Sequence, residues 1–250
     1  MVSEMETLFR WLYDATGINL TIFYDPYDRD RFIEGILLTF QLSFACIGAS
    51  VVIGLVGAWL QGSRFRITNA LVRAYVALFR NTPPIVQLFF FFFVLGGIFT
   101  FQTDAGTWRL SNFAWAIISL SFYYGSFNIE IFRASVEAVP RATVQAAEAL
   151  GYTRLQTYVH VVLPLAFRFS IPTLGNNLVS LVKATSLAYA IAVPEVLHVS
   201  AEIWSDQLNV PEMMWVLLIF YVGMVGLMVY FLRWLERRLQ VPGYSHGHAR

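Results

Sequence analysis

The stretch GILLTFQLSFACIGASVVIGLVGAWLQGS, from Gly35 to Ser63, holds no charged residue between Glu34 and Arg64. A helix needs roughly 20 apolar residues to cross the hydrocarbon core of a bilayer, so this stretch predicts a membrane-spanning helix. In the whole chain, 57% of the residues are hydrophobic and only 13% are charged, whereas soluble domains carry about 25% charged residues. The composition excludes an ordinary soluble domain and predicts an all-α integral membrane protein.

Four further windows are long and apolar enough to cross a membrane, and only one of them holds a charge, Lys183. They predict a transmembrane domain over residues 34–238, between an external N-terminal segment, 1–33, and a cytoplasmic tail, 239–250. In the external segment, Asp25 to Asp28 reads as a turn, because Asp and Pro favour turns. The about five predicted spans lie at about residues 35–62, 82–103, 110–131, 169–193 and 213–233.

Arginine residues are distributed unequally between the two sides of the predicted spans. With the N-terminus outside, the inside segments hold twelve arginines and the outside segments hold four. Cytoplasmic loops carry an excess of Lys and Arg, so the count predicts an outside N-terminus and a cytoplasmic C-terminus. The last outside loop, from about Glu195 to Glu212, has four acidic residues and no Lys or Arg. This composition agrees with the predicted orientation. The longest inside segment is then the loop 134–168.

This cytoplasmic loop has the pattern of two short helices. The residues Ala142 to Leu150 favour a helix, and Gly151 can end it in a left-handed conformation. Thr153 is a suitable N-cap for a second helix that runs to about Val162, and we expect Pro164 to end that helix. A stiff, protruding helix of this kind suits the groove of a partner protein.

The motif in this loop resembles that of a known family. Gln145-Ala146-Ala147-x-x-x-Gly151 is followed, after nine residues, by Val161-x-Leu163-Pro164, which is similar to the EAA loop of permeases of ATP-binding-cassette (ABC) importers. In that family the loop forms coupling helices that dock into the ATP-binding subunit. Gln145 stands where a glutamate is usual; it keeps the shape but loses the charge, for which Glu148 is a substitute. The resemblance implies that the coupling residues are Gln145, Ala146, Ala147, Glu148, Gly151, Leu163 and Pro164.

Four more motifs resemble one branch of this family, the permeases for polar amino acids of the histidine and glutamine type. The resemblance covers about Glu34 to Arg238 and implies the five-helix core of type I importer permeases, which works as a dimer. The motifs are RNTPPIVQLF (Arg80–Phe89), IEIFR (Ile129–Arg133), AVPR (Ala138–Arg141) and KATSL (Lys183–Leu187).

The resemblance also implies partners, location and solute. The expected partners are an ABC ATPase dimer, a second permease subunit that is identical or homologous, an external (periplasmic) solute-binding protein and the lipid bilayer, with no nucleic acid. The expected location is the bacterial inner membrane, with multiple passes. The expected solute is an amino acid, an amino-acid derivative or a related small polar molecule.

The chain lacks the residues for energy conversion. A phosphate-binding loop requires Gly-x-x-x-x-Gly-Lys-[Ser/Thr], and the single lysine, Lys183, follows Leu181 and Val182. We therefore expect no catalytic residue, metal site or cofactor in this chain, and we place ATP and Mg²⁺ in the partner ATPase. A stand-alone channel or secondary carrier is the alternative. The absence of a chain of Asp or Glu residues within the spans argues against a proton relay.

Polar residues within the spans are the candidates for the solute path or for a gating contact, since a charge at membrane depth faces the bundle or a wet cavity. Each has a structural alternative: the lysine can snorkel to an interface, the hydroxyls can bond to carbonyls of their own helix, and the amides can join helices. Ala184 stands where many relatives carry an acid, which weakens the case for a basic amino acid. The candidates are Lys183, Thr185, Ser186, Gln87, Asn177 and Tyr123.

Overall fold

The computed structural model describes residues 2–103 and 106–239, and most of them are helical. A short antiparallel pair of strands, β1 (Phe101–Thr103) and β2 (Gly106–Trp108), is the exception. Two 3-10 helices, Thr21–Phe23 and Thr185–Ile191, and two π-helical segments, Phe90–Leu95 and Tyr158–Val162, adjoin the α-helices. The α-helices are α1 Val2–Thr16, α2 Pro26–Gln61, α3 Arg66–Arg80, α4 Pro84–Phe89, α5 Gly96–Ile98, α6 Asn112–Glu137, α7 Arg141–Ala149, α8 Arg154–Thr157, α9 Leu163–Ala184, α10 Val196–Gln207 and α11 Val210–Leu239.

Within the described residues, three helical stretches are long and apolar enough to cross a membrane: 26–61, 154–191 and 210–239. A bent pair, 66–80 with 84–98, makes a fourth if it counts as one span. Helix α6 covers the remaining predicted span and is 26 residues long, but it includes polar residues such as Asn128 and Glu130. The all-α membrane architecture is therefore present, while the count of five spans and the orientation of the termini stay predictions.

Two prolines, Pro83 and Pro84, lie at the break between α3 and α4. The chain is not helical at residues 81–83. Proline lacks a backbone N–H and disfavours helical geometry in the residue that precedes it, so α3 ends at Arg80. Pro84 then occupies the first position of α4, where its missing donor costs nothing.

The predicted turn at Asp25 to Asp28 is wrong. The Asp25 carboxylate accepts hydrogen bonds from the backbone N–H of Tyr27 at 2.8 Å and of Asp28 at 3.4 Å, and α2 begins at Pro26. An acidic cap followed by proline at the first helical position is a strong helix start. The same residue types serve turns and helix starts, and here the long apolar helix that follows decides the outcome.

The chain divides into two compact units. The first unit holds the described residues of 1–46, 85–120 and 182–225. Its core contains Phe32 of α2, Val196, Val199 and Ile203 of α10, and Met213 of α11. The predicted outside loop from about Glu195 to Glu212 is thus mostly a packed helix, because its apolar residues recur at helical spacing and face this core.

The second unit holds the described residues of 47–84, 121–181 and 226–250. Its helices α2 and α6 pack at glycines. A Cβ added at Gly54 would lie 2.4 Å from the Cβ of Asn128, and one added at Gly125 would lie 2.6 Å from the Cγ2 of Ile53. Small residues allow helix backbones to approach closely in membranes, so these two positions require glycine.

Candidate functional site

The coupling segment, which is the predicted cytoplasmic loop 134–168, lies in the second unit. Its first short helix is α7, which ends as the sequence predicts. Gly151 has a φ of 91°, a conformation that glycine adopts without strain. The N–H of Tyr152 donates to the carbonyl of Ala147 at 3.2 Å, and the N–H of Gly151 donates to the carbonyl of Glu148 at 3.0 Å. These bonds satisfy carbonyls that the end of a helix leaves free.

Thr153 caps the second helix, which confirms the prediction for that residue. Its N–H donates to the Oε1 of Gln156 at 2.9 Å, and its Oγ1 accepts from the N–H of Gln156 at 3.4 Å, which makes a reciprocal capping box. Only residues 150–153 separate α7 from α8. Both helix ends at this turn have their backbone groups satisfied locally.

The prediction that Pro164 ends the second helix is wrong. The chain passes from α8 through the π-helical segment Tyr158–Val162 directly into α9, and Pro164 is the second residue of α9. Proline in a helix lacks a donor and its ring clashes with the carbonyl of the fourth residue before it. The wider i→i+5 spacing of a π-segment moves that carbonyl away, so the helix continues through the proline.

The predicted coupling residues divide between a buried and an exposed set. Val139, Val162 and Ala166, which belong to the loop 134–168, form a buried cluster, and Ala147 is also buried. Ala147 therefore packs within its own chain. The others are exposed: Gln145, Ala146, Glu148, Gly151, Leu163 and Pro164, of which the last two lie in the first turn of α9.

Two leucines at the turn of this segment are missing from the predicted set. Leu150 is 81% exposed and Leu155 is 72% exposed, and the rings of Tyr152 and Tyr158 are also exposed. We call these four residues the coupling patch. Large apolar side chains clustered at an exposed turn are typical of a protein–protein contact. The family motif specifies alanine and glycine positions, whereas the four residues of the coupling patch occupy positions that the motif does not specify.

Lys183 and the two hydroxyl residues that follow it lie in the first unit, at the end of α9. Lys183 is exposed, and within the described residues it has no ion-pair partner. Thr185 is buried and its Oγ1 donates to the carbonyl of Val182 at 2.8 Å, while the Oγ of Ser186 donates to the carbonyl of Lys183 at 2.9 Å. In this conformation both hydroxyls use their hydrogens within their own chain. Gln87, also in the first unit, is buried in α4.

Two of the candidate residues, Asn177 and Tyr123, lie in the second unit beside other polar side chains. The Nδ2 of Asn177 donates to the Oδ1 of Asn128 at 2.8 Å and to the carbonyl of Tyr124 at 3.2 Å. The Tyr124 hydroxyl donates to the carbonyl of Ser180 at 3.0 Å, and the ring of Tyr123 lies 5.0 Å from that of Tyr124. These contacts join α6 to α9, so the Asn177 amide has a structural role in addition to its candidacy for the solute path.

A buried carboxylate in the first unit is absent from the predicted set. The Glu195 side chain is fully buried, and it accepts hydrogen bonds from two backbone amides in the first turn of α10, at 3.0 Å each, and from the Tyr221 hydroxyl at 3.3 Å. Burial raises the pKa of Glu195 to about 7. An acid directly before an apolar helical pattern is a helix-cap signal, and it could have identified this residue as structured.

Residues 41–241 match the protein family described as binding-protein-dependent transport system inner membrane component. This match covers the coupling segment and every span but the start of the first. The chain belongs to this family. It is accordingly a multi-pass inner-membrane permease subunit of an ABC importer.

Curated relatives of the permease have amino-acid transport names. The histidine/lysine/arginine/ornithine transport system permease protein HisQ of Salmonella typhimurium is 31% identical over 66% of this chain and 73% of its own length. The glutamine transport system permease protein GlnP of Escherichia coli is 30% identical over 84% and 93%. The L-cystine transport system permease protein TcyB of Bacillus subtilis is 34% identical over 70% and 71%.

Solved structures share the fold of the permease. The crystal structure of an amino acid ABC transporter with histidines has a chain that matches with a TM-score of 0.74 at 23% identity, over 84% of this chain and 94% of that one. An inward-facing structure of the MetNI methionine ABC transporter matches with a TM-score of 0.63 at 20% identity, over 84% and 96%. At these identities the likeness concerns the fold alone.

Proposed function

We propose that this permease moves an amino acid, an amino-acid derivative or a similar small polar solute into the cell. The solute is delivered by an external solute-binding protein, and the energy comes from ATP hydrolysis in a separate ATPase dimer. ATP and Mg²⁺ belong to that ATPase, and this chain needs no cofactor. A second permease subunit, identical or homologous, completes the path. The names of the curated relatives support the solute class.

The observation that carries the coupling to an ATPase is the coupling patch. Leu150 and Leu155 extend from a turn whose backbone is held by Gly151 and the Thr153 cap. A preformed turn loses little conformational entropy when a partner covers it. Burial of a leucine side chain contributes about 1.5 to 3 kcal/mol. In the proposed mechanism, closure of the ATPase dimer moves this segment and reorients the spans in alternating access.

Replacement of the coupling leucines tests the assignment. In the assembled complex, Leu150→Asp and Leu155→Asp should each reduce co-purification of the ATPase subunit at least about tenfold, because a carboxylate in an apolar contact loses the burial energy and adds a desolvation cost. Leu208→Asp is the matched control, since Leu208 is 87% exposed between α10 and α11 and lies on the proposed outer side. Unchanged co-purification of both coupling variants would refute the assignment of this surface.

Reconstitution tests the transport class. Vesicles that contain the permease complex, internal ATP and the external binding protein should take up labelled histidine, glutamine or cystine, and omission of any one component should stop uptake. Uptake by the isolated chain without ATP would instead establish the alternative, a channel or secondary carrier.

A further inference from the structure

A charged cavity in the second unit is separate from the coupling segment and from the candidate solute residues. It has a volume of about 390 Å³ and is lined by Gln61, Asn69, Arg73, Glu130 and Arg133. We call it the headgroup cavity. Gln61 is the last residue of α2, and the other four lie on α3 and α6.

The cations of the headgroup cavity differ in their partners. Arg133 is neutralised by Glu130 at 2.8 Å and by Glu137 at 2.7 Å. Arg73 is exposed, and among the residues that the structure describes it has no ion pair, hydrogen bond or ring contact. The cavity therefore has two guanidinium groups against one lining carboxylate, and one of the guanidiniums is free. A free guanidinium favours a phosphate or carboxylate group, which it can bind through two parallel N–H bonds.

Gln61, which lines the cavity, also has an acceptor that lacks a donor. The Nε2 of Gln61 donates to the Oε1 of Glu130 at 3.3 Å, whereas the Oε1 of Gln61 takes no part in that bond. That oxygen is buried and has no hydrogen-bond partner. A buried acceptor without a donor is costly, so the cavity favours a ligand that presents an N–H or O–H donor close to its anionic group.

The predicted spans place the headgroup cavity at the cytoplasmic surface of the membrane. Gln61 lies near the end of the first predicted span, and Glu130 lies near the end of the third. Trp59, which is 75% exposed, lies one half-turn before Gln61, and tryptophan is enriched at the membrane–water interface. Helix α3 exposes a stripe of apolar side chains that can contact acyl chains. The stripe contains Ile67, Leu71 and Leu78, which are 77%, 66% and 61% exposed.

We propose that the headgroup cavity binds the headgroup of an aminophospholipid from the cytoplasmic leaflet, with Arg73 at the phosphate and Gln61 at the ammonium group. Basic pockets between helices on the cytoplasmic side are suited to lipid headgroups. A primary ammonium supplies the donor that Gln61 lacks, and the Glu130 carboxylate attracts its charge. The proposal depends on the predicted orientation of the spans but on neither the solute nor the ATPase, so lipid binding and solute uptake can fail independently.

Lipid retention by the intact transporter complex tests both contacts. The purified complex is mixed with phosphatidylethanolamine or with phosphatidylcholine, and native mass spectrometry counts the lipids that remain bound. The two lipids share the phosphate, but only phosphatidylethanolamine has N–H donors. We expect the wild type to retain phosphatidylethanolamine about tenfold more strongly, because one charge-assisted hydrogen bond is worth that factor.

The variants separate the two contacts. Arg73→Gln should reduce retention of both lipids about tenfold, and Arg73→Lys should restore part of it. Gln61→Met should abolish the preference between the lipids while phosphate binding persists. Arg66→Gln is the matched control, since Arg66 lies on the same helix outside the cavity. Assembly of each variant with its partner subunits, followed by gel filtration, shows that it is folded.

Three results would overturn the proposal. The first is equal retention by the wild type and the folded Arg73→Gln variant, and the second is an unchanged lipid preference in Gln61→Met. The third is complete displacement of the lipid by soluble phosphoethanolamine or inorganic phosphate at equal concentration. That result would assign the cavity to a free phosphate compound instead of a membrane lipid.

Discussion

The buried Glu195 should make the stability of the protein depend on pH. Its ordinary pKa is 4.5, and burial raises the pKa to about 7 in the folded protein. Between these values the folded state holds a proton that the unfolded state releases. The stabilisation is therefore complete below about pH 4.5 and is lost as the pH rises through about 7. The difference between the two pKa values corresponds to about 3 kcal/mol.

Thermal unfolding of the purified transporter complex at a series of pH values measures this effect. For a chain of this size, 1 kcal/mol shifts the midpoint by about 2 to 4 °C, so the wild type should lose about 6 to 12 °C between pH 4.5 and 8 from this group. Glu195→Gln keeps an acceptor for the first turn of α10 but does not titrate, so its curve should lack this component. Glu34→Gln is the control, because Glu34 is exposed in the same unit.

Two outcomes would refute the reasoning. Parallel pH curves for the wild type and Glu195→Gln would show that Glu195 does not hold a proton in the folded state. A wild-type stability that rises relative to Glu195→Gln between pH 4.5 and 8 would mean that the hydrogen bonds from α10 and from the Tyr221 hydroxyl outweigh the burial. In that case the pKa of Glu195 would lie below its ordinary value.

Three further predictions concern the second unit. Gly54→Ala should destabilise the protein by about 1 to 3 kcal/mol, because the added methyl group would lie 2.4 Å from the Cβ of Asn128 and would overpack the contact. The control is Gly48→Ala in the same helix, which has open space around it and should leave the unfolding midpoint unchanged or raise it. Gly151→Ala should weaken uptake and lower the free energy of unfolding by about 1 kcal/mol or more, because alanine is strained at a φ of 91°. Restoration by a D-amino acid at this position, introduced by semisynthesis, would confirm the cause. Equal uptake by the L-alanine variant would contradict it. Thr153→Ala should cost about 1 kcal/mol through loss of the helix cap, measurable by denaturant unfolding, whereas Thr153→Ser should behave as the wild type does.

The structure confirms those predictions that depend on local chemistry. The left-handed Gly151 and the Thr153 cap each follow from the conformational limits of one or two residues. Such limits act over a few bonds, so they can be predicted from the sequence. The wrong predictions, at Asp25 and Pro164, concern residue types that suit two outcomes. At both positions the neighbouring helix decided between them.

The sequence by itself determined the membrane class, the approximate apolar windows and the family resemblance through the loop motif, because composition and motif spacing are properties of the chain. Only the tertiary structure showed that Ala147 is buried while Leu150 and Leu155 are exposed. It alone placed Glu195 in the core of the first unit and left Arg73 unpaired beside Glu130. Burial and pairing depend on which distant segments meet, and helix periodicity does not specify the neighbour. The solute-path candidates show the same limit, since the hydrogen bonds of Asn177 join residues about 50 positions apart.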